Sequence, residues 1–332
     1  MNAPAGQDDW GSPSALGWAL RFTAGRAAPI DEAALTARLG AQDWTWAHYR
    51  LGDVRAQAML KHRADLPPAA HALFEMTESR IHIDADDGWV FGVLPDLERD
   101  LSGAPQREAR LVFAFKDRRL MTGRLHALKA VDDVRWRAEQ GLPLADPSAA
   151  LAKVVGVYTD LLEDLLDEVG AKMSGIEDYV LTEPADPRQS GLSDTRRRLA
   201  RRRRELQDLR SALVRAQGAR QTPPIEELAD WLPDLVSMVE DVDREAAELQ
   251  ERGRLLHEEI DTLINAATNR NMRILAVIST LLVPPTLITG AFGMNVPGLP
   301  WHDSPAGFAL ASAVCVATVV GALWLLRRLQ ML

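Results

Sequence analysis

The chain has 332 residues, 38 Lys+Arg against 47 Asp+Glu, a formal net charge of −9 and one cysteine. The length allows two or three domains at about 100–200 residues each, and a single Cys excludes both a disulfide framework and a Cys-rich zinc site. Charge is unevenly spread: between Ile274 and Leu326 the ionisable side chains, the near-neutral Cys315 aside, are His302 and Asp303, which excludes a purely soluble enzyme and predicts a large water-exposed body with a short membrane anchor.

The first residues, Met1 to Trp18, lack the basic start and apolar core of an export signal, so the chain is expected to stay where it is made. Residues 1–140 read as a cytoplasmic α/β domain. Ile30 to Leu39 and Pro67 to Met76 have helical spacing. Arg80 to Asp84 and Trp89 to Leu94 flank Asp87-Gly88, a hairpin signal, and Arg110 to Phe115 and Arg119 to Thr122 flank Lys116-Asp117 in the same manner. Asp84 to Gly88 begins like a calcium loop, but Pro95 stands at the twelfth position, where that loop needs a bidentate Glu. A hairpin turn is the better reading.

Residues 141–272 read as a helical stalk. Leu151, Val155, Tyr158, Leu162, Leu165, Val169, Met173, Ile176 and Val180 recur every three or four residues until Pro184 and Pro187 break the pattern. A second helix is expected from about Ser193 to Gly218, with seven arginines in the nine positions Arg196 to Arg204. Such a cluster suits nucleic acid or anionic lipid. With no nucleic-acid motif beside it, a solvated face paired with Glu163, Asp164, Asp167 and Glu168 is favoured. A third helix should start near Pro233, since proline is tolerated in a first helical turn. Leu235, Val239, Val242, Ala246, Leu249, Gly253, Leu256, Ile260, Leu263 and Ala267 then form an unbroken heptad stripe, which predicts helix association along it. Acidic stalk residues Asp234, Glu240, Asp241 and Asp243 could bind divalent ions between subunits, although such faces are more often solvated.

Residues 273–332 read as a transmembrane domain with spans at about 274–293 and 306–326. Each suits a hydrocarbon slab crossed by about 20 helical residues. Arg270, Arg273, Arg327 and Arg328 flank the spans, and the connecting loop holds neither Lys nor Arg. The positive-inside rule therefore puts both termini in the cytoplasm.

Carried past the stalk, the three/four rhythm gives Met272, Leu275 or Ala276, Ser279, Val283, Thr286 and Gly290 as one stripe, with bulky Leu281, Leu282, Leu287 and Ile288 elsewhere. Two readings fit: close helix packing through small residues, or a pore lined by hydroxyls and backbone with Met272 and Val283 as constrictions. Pro284-Pro285 frees backbone carbonyls in mid-membrane, which is tolerable where they face partners or water.

Gly293-Met294-Asn295 follows. This tripeptide after a first membrane helix, with a second helix close behind it near the C-terminus, preceded by Asn269-Arg270 and Pro284-x-Thr286-x-x-x-Gly290, resembles the CorA superfamily of divalent-cation transporters. The resemblance implies an α+β cytoplasmic domain, long stalk helices and a two-helix transmembrane hairpin, assembled as a homopentameric funnel in a bacterial inner membrane. It implies no enzymatic activity, no cofactor and no nucleic-acid partner; the partners are other copies of the chain, membrane lipid and divalent cations. Within the superfamily, Val296-Pro-Gly-Leu-Pro-Trp-His-Asp-Ser-Pro305 is similar to loops of the ZntB zinc-transporter branch, and Trp44 to Tyr49 is similar to a Trp-x-His motif there. Pro297-Gly298 departs from the two glycines common in that branch.

Zinc is accordingly the expected ion, with magnesium, cobalt or nickel through a CorA-type channel as the alternative. The resemblance makes Gly293, Met294 and Asn295 the metal-handling mouth: Gly293 lets backbone approach the axis, and the Asn295 amide oxygen can accept from a hydrated cation's water shell. Such neutral oxygen chemistry suits magnesium, whereas zinc ordinarily takes His and Cys, so zinc would pass hydrated. His302 and Asp303 are candidates for proton sensing in the outer loop. A membrane-anchored coiled-coil scaffold or sensor is the rival class, and it leaves the tripeptide unexplained. No HExxH, Gly-rich phosphate loop or GxSxG supports an enzyme.

Overall fold

The structure, a computed structural model, describes residues 16–63, 65–75, 80–99, 107–182, 191–219, 225–228, 230–294 and 305–328. Asn295, His302 and Asp303 therefore lie outside the described residues. Strands β1 (Leu16–Thr23) and β2 (Arg26–Pro29) turn at Ala24-Gly25, both at positive φ, 49° and 77°. β4 (His82–Asp86) and β5 (Trp89–Leu97) turn at Asp87-Gly88 with φ of 47° and 75°, the left-handed pair that a two-residue hairpin demands. β6 (Glu108–Lys116) and β7 (Arg119–Arg124) pair with Lys116 opposite Arg119, so this turn sits at Asp117-Arg118, one residue beyond the expected Lys116-Asp117. β3 (Trp44–Arg50) completes the sheet.

The seven strands run β2-β1-β3-β7-β6-β5-β4, antiparallel except for β3 and β7, which are parallel. Both faces are covered, so β5 is buried along its whole length. One face carries α1 (Val54–Lys61) and α2 (Pro68–Glu75), packed on Tyr49, Phe91, Val93 and Met121. The other holds Trp18, Leu20, Phe22, Trp44, Trp46 and Phe113 against α3 (Lys129–Glu139) and the helices that follow. Phe22 and Trp44 stack with centroids 3.8 Å apart, and each fully buried ring of this kind contributes about 1.5–3 kcal/mol by leaving water. The helix expected over Ile30 to Leu39 is absent. A single 3-10 turn, Ala33–Thr36, stands there and buries no residue, so no packed face holds a longer helix in place.

Three long helices follow: α4 (Pro147–Thr182), α5 (Leu192–Gly218) and α6 (Leu232–Gly293). Their bounds fall close to those expected from periodicity and proline placement. A last helix, α7 (Pro305–Arg328), follows. The chain divides into two compact units, with the cuts at Ile176 on α4 and Gly253 on α6. In the first unit α6 packs against both of the other long helices, Gly253 meeting Met173 of α4 and Arg196 of α5. Met238 of α6 lies over Gly156 of α4, and Leu249 over Gly170, so α4 and α6 run parallel. Arg203 of α5 reaches Asp243 at 3.2 Å and Arg210 reaches Glu240 at 2.6 Å, so α5 runs antiparallel to α6.

These contacts revise the heptad reading. Leu235, Val239, Val242 and Ala246 are buried inside the chain's own core together with α4 and α5 residues such as Val169 and Leu209. The upper part of the stripe is already occupied within one copy. Leu256 and Ile260 are also buried in a single copy, 3% and 4% exposed, and exposure opens from Leu263 onward.

Candidate functional site

In the second unit, α6 continues unbroken through Pro284 and Pro285, its 62 residues spanning roughly 90 Å at 1.5 Å per residue. The two prolines lack N–H groups, so the carbonyls of Thr280 and Leu281 lose their usual donors four residues on. Threonines supplement the ladder beside them: Thr280 Oγ1 donates to the Ala276 carbonyl at 2.8 Å, Thr286 Oγ1 to Leu282 at 2.7 Å, and Thr289 Oγ1 to Pro285 at 3.0 Å.

Burial splits this half of α6 into two faces. Val277, Leu281, Pro284, Pro285 and Ile288 are partly covered at three- and four-residue spacing. The Cys315 thiol of α7 stands 4.0 Å from the Pro285 carbonyl, so α7 lies along this face. Met272, Ser279, Val283, Thr286 and Gly290 fall together on the face that α7 leaves open. Met272 and Val283 are each 62% exposed. The bulky set divides: Leu281 and Ile288 turn toward the covered side, while Leu282 and Leu287 are exposed.

Gly293 ends α6 with open space beside it and without a left-handed φ, so within one copy neither sterics nor backbone angle requires glycine there. Met294 follows, 67% exposed. Among the described residues no three His, Cys, Asp or Glu side chains are grouped to hold a metal ion. The α6 acids are largely engaged elsewhere: Glu240 with Arg210, Asp243 with Arg203 and Asp241 with Arg244.

The Trp-x-His segment is core. Trp46 Nε1 donates to Thr122 Oγ1 at 2.9 Å, and His48 Nδ1 lies 2.7 Å from the same oxygen while its ring stacks on Trp18. Burial, with Arg124 and Arg135 nearby, holds His48 well below the ordinary imidazole pKa, so it is neutral. Sequence reading missed β1, β2 and β3 as strands. The alternation Leu16-x-Trp18-x-Leu20-x-Phe22 was the signal available, and all four side chains are buried.

Two α-helices, α6 and α7, are long and apolar enough to cross a membrane. Residues 41–328 match the family described as CorA-like Mg2+ transporter protein. The divalent cation transporter CmaX of Pseudomonas aeruginosa is 29% identical over 291 residues, covering 86% of this chain and 87% of the relative. The zinc transport protein ZntB of Pectobacterium atrosepticum is 27% identical over 242 residues, 71% of this chain and 72% of that one. The solved full-length CmaX structure superposes with a TM-score of 0.79 at 26% identity, covering 94% of this chain and 97% of that chain. A family match running from β3 through both apolar helices leaves one conclusion: the chain belongs to the CorA family and is a divalent-cation transporter of the membrane, not an enzyme.

Proposed function

We propose that this protein imports zinc across a bacterial inner membrane as a homopentamer, with both termini cytoplasmic. Five copies of α6 surround the pathway. Met272, Ser279, Val283, Thr286 and Gly290 line it, and Gly293, Met294 and Asn295 form its outer mouth. The observation that carries this reading is the shared face: all five stripe residues lie on the side of α6 that α7 does not cover, as a helix facing a central axis requires. Zinc is favoured by the loop Val296 to Pro305 and by the similarity to proteins named for zinc transport. A magnesium or cobalt channel is the second reading. It is favoured by a stripe without His or Cys, whose neutral oxygens suit a hard hydrated cation.

The test is radiolabelled zinc and magnesium uptake into proteoliposomes by wild type and Asn295→Ala. Zinc uptake lost in the variant, with its oligomer intact, supports the reading. Wild-type uptake in Asn295→Ala makes Asn295 a helix cap, and magnesium uptake without zinc uptake selects the second reading.

A further inference from the structure

The arginine cluster of α5 is only partly used within the chain. Arg202 is buried and pairs with Glu205 at 3.0 Å, Arg203 and Arg210 tie α5 to α6, and Arg198 meets Asp194. Arg197, Arg201 and Arg204 follow one another at four- and three-residue steps, which puts them on one exposed helix face. None of the three has an ion pair among the described residues. The sequence expectation that α4 carboxylates neutralise this cluster is therefore not met: within Arg196 to Arg204, Arg198 and Arg202 pair inside α5 and Arg203 pairs with Asp243 of α6.

Glu168 of α4 pairs with Lys172 four residues on, but Asp160, Glu163, Asp164 and Asp167 have no ion pair among the described residues. Asp160, Glu163, Asp164 and Asp167 occupy one face of α4, and the stretch lies between the Gly156–Met238 and Gly170–Leu249 contacts. That register sets it beside Asp241 and Glu245 of α6. Partial burial and then Asp160, Asp164, Asp167 and Asp241 push the Glu163 carboxyl upward; partial burial with Asp167 and Glu163 does the same for Glu245. The flank of α6 that faces α4 is thus acidic, while its other flank is neutralised by α5. One copy carries a basic face and an acidic groove that do not meet.

We propose that the Arg197, Arg201 and Arg204 face of one copy docks on the Glu163, Asp167 and Glu245 groove of the next copy. Opposite charges on two different faces make a head-to-tail contact, the kind that closes into a ring and works for an odd number of copies. The inference rests on the homo-oligomer proposed above and adds to it a cytoplasmic, salt-sensitive interface separate from the membrane helices.

The test is native mass spectrometry of full-length protein in detergent at low and high salt. Arg197→Glu/Arg201→Glu/Arg204→Glu is expected to lower the ring fraction about tenfold with an unchanged circular-dichroism melt. Adding Asp160→Arg/Glu163→Arg/Asp167→Arg in the same chain is expected to restore it. If the reversed protein fails to fold, Arg197→Gln/Arg201→Gln/Arg204→Gln removes the charge more gently, and a ring fraction equal to wild type at low salt overturns the interface. A wild-type monomer overturns the oligomer and this interface together. A ring that persists through charge reversal overturns the interface alone. Loss of binding to phosphatidylglycerol vesicles with the ring intact assigns the face to lipid and overturns the proposal.

Discussion

Arg110 on β6 places Nη1 2.8 Å from Oε1 of Glu205 on α5, a bond between residues 95 positions apart that ties the sheet to the helix. Glu205 also accepts from Arg202 at 3.0 Å, and both of these side chains are under 10% exposed. Burial raises the Glu205 carboxyl, and the hydrogen bond from Arg110 draws it back toward the charged form. Removing one partner of a buried pair leaves the other uncompensated, so Glu205→Ala should cost about 3 kcal/mol. Denaturant unfolding of the full chain in detergent checks this, and a loss below about 1 kcal/mol would class the pair with ordinary surface bridges.

Gly92 sits opposite Ile83 in the β4–β5 pairing, and a Cβ there would come within 2.1 Å of the His82 carbonyl oxygen. That neighbour is backbone and cannot swing away. Gly92→Ala should separate β4 from β5, on which α5 also packs, at a cost of about 2–4 kcal/mol. Wild-type thermal stability in this variant would mean that the strands approach less closely than described.

Asp96 is fully buried and accepts from the backbone N–H groups of Leu97 at 2.6 Å, Ala130 at 2.8 Å and Val131 at 3.1 Å, fastening β5 to the start of α3. Burial nevertheless raises its pKa to about 6. The folded state then holds a proton that the unfolded chain releases near the ordinary value of 3.8, so this group's contribution is full below about pH 4 and is lost as pH rises through 6. Asp96→Asn should flatten that part of the stability profile between pH 4 and 6.5, seen as a smaller difference in unfolding free energy between the two pH values than in wild type. An unchanged difference would remove Asp96 as the source.

Transport should respond to external acid. In the proposed orientation His302 and Asp303 lie in the outer loop, and they are its side chains of types that change charge between about pH 4 and 7. Zinc flux into vesicles should rise with an inward proton gradient, and the rise should shrink in His302→Ala. Flux indifferent to the gradient in wild type would end the coupling idea; a rise equal in the variant would keep coupling and release His302.

Much of the architecture was legible from a few positions. Pro233 and Gly293 bracket α6 almost to the residue, because proline fits a helix only near its start and the apolar run has a definite length. The open face of α6 was legible for the same reason: the spacing of Met272, Ser279, Val283, Thr286 and Gly290 is a property of helix geometry. What periodicity could not reveal is which partner covers a stripe. Leu256 and Ile260 have the spacing of a coiled coil, yet each is buried within one copy, so an Asp at either position would disturb that copy's fold before any assembly. The arginines raised the same difficulty, since the way the three long helices pack decides which acids they reach.

The Thr286 hydroxyl has one hydrogen, and the Leu282 carbonyl takes it. The oxygen can then only turn lone pairs toward whatever passes the open face, and the neighbouring Pro284 and Pro285 have no N–H to offer. At this level the helix presents acceptors without donors. A hydrated cation points water hydrogens outward and suits such acceptors; a chloride or phosphate ion needs donors. On the proposed pathway, hydrogen-bond polarity at Thr286 would therefore favour cations over anions without an ionised side chain at this level.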